Sequence, residues 1–158
     1  MKPLEMIERL IAFNTVSRES NIELIEFVEE YLHSQGIIST RVPSEDGKKS
    51  NLYASVGPEE AGGVVLSGHT DVVPVDGQNW DTDPFCLTQK DGVFYGRGTC
   101  DMKAFIAIGL ALVPEMKKLR KPIHFALSYD EEVGCLGAPR VIRQMADRLP
   151  PPEAVIVG

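Results

Sequence analysis

The sequence has few cysteines, and they do not form a metal-binding or disulfide pattern. Cys86, Cys100 and Cys135 are odd in number and include no CxxC pair. We therefore expect no disulfide framework, and this fits a reducing compartment, so a cytoplasmic location is the default expectation. Cys100 directly precedes Asp101, and Cys135 lies three residues after Glu132. We predict that both cysteines are small buried side chains rather than zinc ligands.

The sequence also lacks long apolar runs and an excess of basic charge. No stretch approaches the ~20 apolar residues that cross a bilayer, so we expect no membrane span. Residues 1–5 carry an early acid and do not resemble a signal peptide. Lysine and arginine number 16 against 23 acidic residues, a net charge of −7, which argues against a nucleic-acid partner.

The 158 residues, of which 43% are hydrophobic, are enough for one domain with a buried core. Ser20 and Glu23 have the form of a capping box, with Ser20 as the N-cap. Pro114 should kink the third helix or end it early. Asp91-Gly92 predicts a hairpin turn. Apolar periodicity predicts helices over residues 4–13, 20–35, 102–119 and 136–149, and strands over 37–42, 51–56, 63–67, 123–128 and 154–157.

Helices that alternate with short apolar strands are typical of an α/β fold with a mostly parallel sheet flanked by helices. Ligands of such sheets lie at the carboxyl ends of the strands. Three segments rich in polar side chains follow or approach these ends: residues 67–71, 96–103 and 129–134. We expect their side chains to lie close together.

In the first segment, His69 and Asp71 should point to the same side if the chain remains extended, because side chains of a strand alternate. A carboxylate in that position can orient a metal-binding imidazole. The alternative is a histidine that is simply hydrogen-bonded in a loop. In the second segment, Gly96-Arg97-Gly98 lacks the third glycine of a nucleotide-binding loop, and Asp101 stands in its place. Asp101 could bind metal, or it could only cap the following helix.

The third segment, Tyr129-Asp130-Glu131-Glu132-Val133-Gly134, places three acids in a row. Adjacent carboxylates resist ionising together unless a cation compensates them, although exposed acidic loops are also common. Glu131 and Glu132 point in different directions and can therefore do separate tasks. One imidazole and several carboxylates form a mixed nitrogen and oxygen ligand set that suits zinc, with cobalt or manganese as substitutes.

Three stretches, SGHTDVVPVDGQNWDTDPF, YGRGTCDMKAF and SYDEEVGCLGA, resemble the dinuclear-zinc aminoacylases and exopeptidases. The resemblance implies two zinc ions per complete site, held by His69, by Asp101 as a bridge and by Glu132. It implies that Glu131 is the general base, that Asp71 orients His69, and that the peptide bond after Asp101 is cis. The implied reaction is hydrolysis of the amide bond of an N-acyl amino acid. Desuccinylation, exopeptidase activity and a non-catalytic metal-binding or amino-acid-binding role are the alternatives.

The same resemblance implies that residues 1–158 are the N-terminal part of a zinc-aminopeptidase-like catalytic domain. Relatives continue after the last predicted strand with further metal ligands. A lid and dimerisation domain and the C-terminal part of the catalytic domain are thus expected outside this chain. We expect the full-length protein to be a homodimer through that domain. By itself, the chain is expected to bind metal weakly and to have little or no activity.

Overall fold

The structure is a computed structural model that describes the backbone of residues 1–158 and every side chain except that of Lys117. No helix in the part so described is long and apolar enough to cross a membrane. The helices are α1 (Pro3–Ile11), α2 (Ile22–Ser34), α3 (Lys103–Ala111), α4 (Ala138–Arg148) and a 3₁₀ helix (Val113–Lys118). The strands are β1 (Ser39–Pro43), β2 (Ser50–Val56), β3 (Val64–His69), β4 (Thr88–Lys90), β5 (Val93–Tyr95), β6 (Ile123–Ser128) and β7 (Ala154–Val157).

The central sheet has five strands in the order β1-β2-β6-β3-β7. Strand β2 is antiparallel to both of its neighbours, β1 and β6, whereas β3 is parallel to β6 and to β7. Four of the five strands therefore run in the same direction, and the predicted mostly parallel sheet flanked by helices is confirmed. Strands β4 and β5 form the separate hairpin predicted at Asp91-Gly92.

The main core lies between one face of the sheet and helices α1, α2 and α3. Leu52 and Ala54 of β2 point into it, whereas Tyr53 between them packs in a smaller cluster with Val141 of α4 on the opposite face. This is the alternation expected of a strand that is covered on both sides. The sheet is thus the middle of three layers, which fixes the direction in which its strand ends point.

Helix α4 covers only part of its face of the sheet. A groove of about 510 Å³ lies between this helix and the strands β3, β6 and β7, and its lining is mostly apolar. Strand β7 forms an edge of the sheet, and its Val157 is 70% exposed. His124 of β6 lies in the groove floor, where its Nδ1 is 2.7 Å from the hydroxyl of Ser55.

All four predicted helices differ from the observed ones by one or more residues at their ends, and two of these differences have an evident physical cause. The N-cap of α2 is Asn21 rather than Ser20, because Ser20 accepts a hydrogen bond from the backbone of Ile22 in the turn before the helix. Helix α3 ends at Ala111, three residues before Pro114, and the chain continues as the 3₁₀ helix instead of the same α-helix. An early end near Pro114 was the expected effect of a residue that lacks a backbone donor.

Candidate functional site

The three polar segments meet at one edge of the sheet. His69 is the last residue of β3 and lies beside Ser128, the last residue of β6, in the parallel register. The segment that we call the acidic loop, residues 130–132, begins two residues after β6 ends. Asp101 approaches the same edge just before α3, and its peptide bond to Met102 is cis, as the resemblance implied.

One histidine and two acids form a compact cluster at this edge. His69, Asp101 and Glu132 each offer a ligand atom, and these atoms all lie within 4.8 Å of one another. His69 Nε2 is 2.8 Å from Asp101 Oδ1. The side chain of Asp101 is 71% exposed whereas that of His69 is 6% exposed, so the cluster has a buried floor and an open mouth. One imidazole and two carboxylates at this spacing can hold a divalent metal ion.

The electrostatics of Glu132 favour a cation at the cluster. Burial and the neighbouring charge of Asp101 raise the pKa of the Glu132 carboxyl above its usual value. Both effects disfavour the ionised form, and a positive ion between the carboxylates would oppose them. The residues present therefore fit a divalent metal ion.

Glu131 lies next to the cluster without being one of its three members. Its Oε2 is 3.8 Å from His69 Nε2, and its side chain is 42% exposed. Cys135 contacts the same carboxylate, with its Sγ 3.4 Å from Glu131 Oε1. Glu131 therefore faces the open side of the cluster, where a bound water or substrate could reach it.

Asp71 joins the floor of the cluster to the acidic loop. Its Oδ1 accepts the backbone N–H of Glu131 at 3.0 Å, and its Oδ2 accepts that of Glu132 at 3.3 Å. Ser17 donates its hydroxyl to the same Oδ2 at 2.7 Å. His69 Nδ1 lies 2.9 Å from the backbone carbonyl of Asp71 and 3.6 Å from its carboxylate. Asp71 thus contacts both the histidine and the loop that carries the acids.

These contacts shift the pKa values of His69 and Asp71. Although burial by itself disfavours the charged imidazole, the nearby carboxylate of Asp71 and the hydrogen bonds to the carboxylate of Asp101 and to the carbonyl of Asp71 raise the pKa of His69 to about 9. Burial opposes ionisation of Asp71 too, but the nearby imidazole of His69 and hydrogen bonds from Ser17 and the Glu131 backbone hold the pKa of its carboxyl below the usual 3.8. In the metal-free chain, the raised pKa favours the protonated imidazole at neutral pH.

We expect the ring of His69 to titrate near pH 9 in the metal-free chain. Burial lowers the pKa of His124, so its ring should titrate below 6.5. Asp101→Asn removes one carboxylate partner and should lower the pKa of His69. NMR titration of the imidazole protons measures all three effects, and a midpoint for His69 at or below 6.5 would contradict the expectation.

The free energy of unfolding is a poorer measure of the His69 titration than NMR, because Lys103 titrates in an overlapping pH range with the opposite effect on stability. Protonated His69 contributes stability below pH 6.5, and that contribution is lost as the pH rises through about 9. Lys103 is fully buried, which lowers its pKa to about 7. Between pH 7 and 10.5 the unfolded chain therefore binds more protons at this lysine, so its contribution to stability rises with pH. The two effects oppose each other where they overlap.

One prediction about neighbouring residues is wrong. Cys100 and Cys135, expected to be small buried side chains, are both exposed, as is Cys86. Cys100 and Cys135 lie in loops at the sheet edge rather than in strands, so no layer of the fold covers them. None of the three belongs to the cluster of ligand atoms found among the described residues.

Three residues of the site were missed by sequence reasoning. Ser17 bonds to Asp71, Lys49 contacts Asp130, and Lys103 donates from Nζ to the carbonyl of Phe13 at 2.7 Å. Lys103 could have been singled out from the sequence, because it is a charged residue at the start of a strongly apolar helix. Ser17 and Lys49 lie in polar segments and had no comparable signal.

Comparison with known proteins places these features in a family context. The model of peptidase family M20/M25/M40 matches residues 65–158, which include all three polar segments. Acetylornithine deacetylase of Pasteurella multocida (strain Pm70) is 41% identical over 98% of this chain, and that of Shigella sonnei (strain Ss046) is 35% identical over 98%. The chain spans 42% of the length of each of these relatives.

Solved structures share the fold at lower identity. Human carnosine dipeptidase 1 has a TM-score of 0.83 and 22% identity, covering 99% of this chain and 38% of its own. The M20 family metallo-carboxypeptidase Sso-CP2 of Sulfolobus solfataricus has a TM-score of 0.85 and 20% identity, covering 99% and 37%. The resemblance noted in the sequence is therefore confirmed at the level of the family, and the α/β fold is that of its catalytic domains.

Proposed function

Because this chain belongs to peptidase family M20/M25/M40, we propose that it supplies part of the active site of a metal-dependent amidohydrolase acting on an N-acyl amino acid. The proposed reaction converts N-acetylornithine to ornithine and acetate, a step of arginine biosynthesis. The observation that carries the proposal is the cluster of His69, Asp101 and Glu132, whose ligand atoms lie within 4.8 Å of one another. The 41% identity to an acetylornithine deacetylase favours this substrate.

We assign His69, Asp101 and Glu132 to metal binding, with Zn²⁺ as the proposed ion, two per complete site, and Co²⁺ as a substitute. A nitrogen and oxygen donor set of this kind suits both ions. A metal ion bound there would polarise the amide carbonyl of the substrate and ease the deprotonation of water. Asp71 is the proposed positioning residue for His69. Its backbone carbonyl contacts the imidazole Nδ1, and its carboxylate Oδ1 lies 3.6 Å from the same nitrogen.

The proposed general base is Glu131. Its carboxylate lies 3.8 Å from His69 Nε2 on the open side of the cluster, where water and substrate have access. In this role Glu131 accepts a proton from the attacking water and then gives it to the departing amine of ornithine. Proton transfer by a positioned side chain of this type contributes about 10²- to 10⁴-fold to a rate.

We further propose that residues 1–158 are part of a catalytic domain that is completed by other polypeptide. The 42% share of the relatives' length supports this, and so does the partly uncovered groove beside β7. In this view the remaining ligands, a lid and the homodimer contact lie in the other part of a cytoplasmic enzyme. This chain by itself would then have little or no hydrolytic activity.

The assay that tests the proposal compares chemically distinct substrates. A protein comprising this chain and the rest of the catalytic domain should release ornithine from N-acetylornithine in the presence of Zn²⁺ or Co²⁺. We expect slower hydrolysis of N-succinyl-diaminopimelate and of dipeptides, and little turnover by residues 1–158 alone. Faster hydrolysis of either alternative would reassign the substrate. No hydrolysis of any of them, together with saturable zinc binding, would indicate a non-catalytic relative.

A further inference from the structure

A lysine distant in sequence contacts the acidic loop. Lys49 directly precedes β2, and its Nζ donates to the carboxylate of Asp130 and to the backbone carbonyl of Ser17. The side chains of Lys49 and Asp130 are only 16% and 13% exposed. In the part of the chain that the structure describes, Lys49 is the one lysine or arginine paired with a carboxylate of this loop.

Both partners of Lys49 belong to segments that hold Asp71. Ser17 donates its hydroxyl to the Asp71 carboxylate at 2.7 Å. On the other side, Asp130 is followed directly by Glu131 and Glu132, whose backbone N–H groups bond to the same carboxylate. The ammonium group of Lys49 therefore bridges the two segments that meet at Asp71.

Asp130, the partner of Lys49, has an uncommon backbone conformation. Its φ is +55°, in the left-handed region that residues other than glycine seldom adopt, although aspartate and asparagine do so more often than most. The turn at Asp130 decides the direction in which the next two residues leave the strand, and therefore where the Glu131 and Glu132 side chains point. A largely buried pairing with Lys49 is a contact that can hold this turn against the repulsion among the neighbouring acids.

We propose that Lys49 is a positioning residue for the acidic loop: through Asp130 and Ser17 it fixes Glu131 and Glu132 relative to His69. The inference rests on the proposed function, since it assigns the positioned acids to metal binding and proton transfer. Lys49 itself is not one of the three residues that offer ligand atoms to the cluster. Partners that orient metal ligands typically change metal affinity about 10- to 100-fold when they are replaced.

The first measurement needs no metal and is independent of activity. Amide hydrogen exchange of the metal-free chain reports the bonds from Glu131 and Glu132 to Asp71. In Lys49→Met and in Asp130→Asn we expect these two amides to exchange about 10-fold faster, while amides within β3 and β6 keep their wild-type rates. Asparagine tolerates the left-handed conformation, so Asp130→Asn removes the charge without forcing the turn to change.

The second measurement is a zinc titration followed by the His69 ring resonances. We expect Lys49→Met to weaken the apparent zinc affinity about 10-fold and Lys49→Arg to restore most of it. The matched control is Lys48→Met, because Lys48 is adjacent but 79% exposed and pairs with Asp46 outside the site. The double variant Lys49→Met/Asp130→Asn should resemble Lys49→Met, since Lys49→Met already removes the contact with Asp130 along with the one to the Ser17 carbonyl.

The outcomes separate the two proposals. Unchanged exchange at Glu131 and Glu132 in Lys49→Met would overturn the positioning role. Uniformly faster exchange across β3 and β6 would overturn it too, by showing a general loss of stability. If a protein that also contains the rest of the catalytic domain gives no zinc-dependent shift at His69 while the exchange effect is present in the chain, the metal assignment fails and the loop-positioning role of Lys49 stands.

Discussion

Glu131→Gln is expected to lower the rate of N-acetylornithine hydrolysis by about 10²- to 10⁴-fold in whichever form of the protein catalyses it. Glutamine keeps the size of the side chain but cannot accept the proton of the attacking water. Metal content should stay at the wild-type value, because Glu131 is not one of the three clustered ligand residues. Initial rates at saturating metal, together with metal analysis of the purified variant, measure both effects.

Two further variants test whether the loss of rate is specific to the general base. Glu59→Gln changes an exposed glutamate far from the site and should leave the rate unchanged. Glu132→Gln should instead weaken metal binding, so that added Zn²⁺ recovers part of its activity. If the rate of Glu131→Gln stayed within about 10-fold of the wild type, its assignment as the general base would be wrong.

Asp71→Ala is expected to destabilise the chain by about 2–4 kcal/mol, because it leaves the partly buried N–H groups of Glu131 and Glu132 without their acceptor. Asp71 is 2% exposed, so water cannot readily replace the lost carboxylate. Asp71→Asn keeps one acceptor oxygen and should cost less. Urea unfolding of the metal-free chain gives the change in the free energy of unfolding from the shift in midpoint.

The pH dependence of this contribution has a defined sign. Since the pKa of Asp71 is lower in the folded chain than its usual 3.8, its stabilising effect is present above that pH and is lost as the pH falls below it. The difference in stability between wild type and Asp71→Ala should therefore narrow in acid. Asp147→Ala, on the exposed side of α4, is the control and should change stability by less than about 0.5 kcal/mol. A loss at Asp71 no larger than this would contradict its role as the shared acceptor.

Much of the fold was predictable because its signals are local. The bounds predicted for β6 and β7 match the structure, since each is a short apolar run with clear polar or proline-rich flanks. The rule that parallel strands present their carboxyl ends at one edge accounts for His69 and the acidic loop, whereas Asp101 follows the separate β4–β5 hairpin and is not placed by that rule. That these residues bind metal is still a prediction, which the titration above tests.

The missed features depend on contacts that a local pattern does not encode. Lys49 and Asp130 are separated by 81 positions, and Ser17 and Asp71 by 54. Nothing in the polar turn around Lys49 distinguishes it from Lys48, which is exposed. The burial of the cysteines was mispredicted for a related reason: their residue type favours the interior, but loops at a sheet edge have no layer above them.

The exposed edge formed by β7 has a practical consequence for experiments on residues 1–158. An open strand with apolar side chains can pair with the same strand of another molecule, and such edges promote self-association. Repulsion between copies that each carry a charge of −7 opposes this pairing, and salt screens that repulsion. Zinc titrations and exchange measurements on this chain are therefore best made dilute and at low ionic strength, so that changes at the cluster are not confused with changes in association.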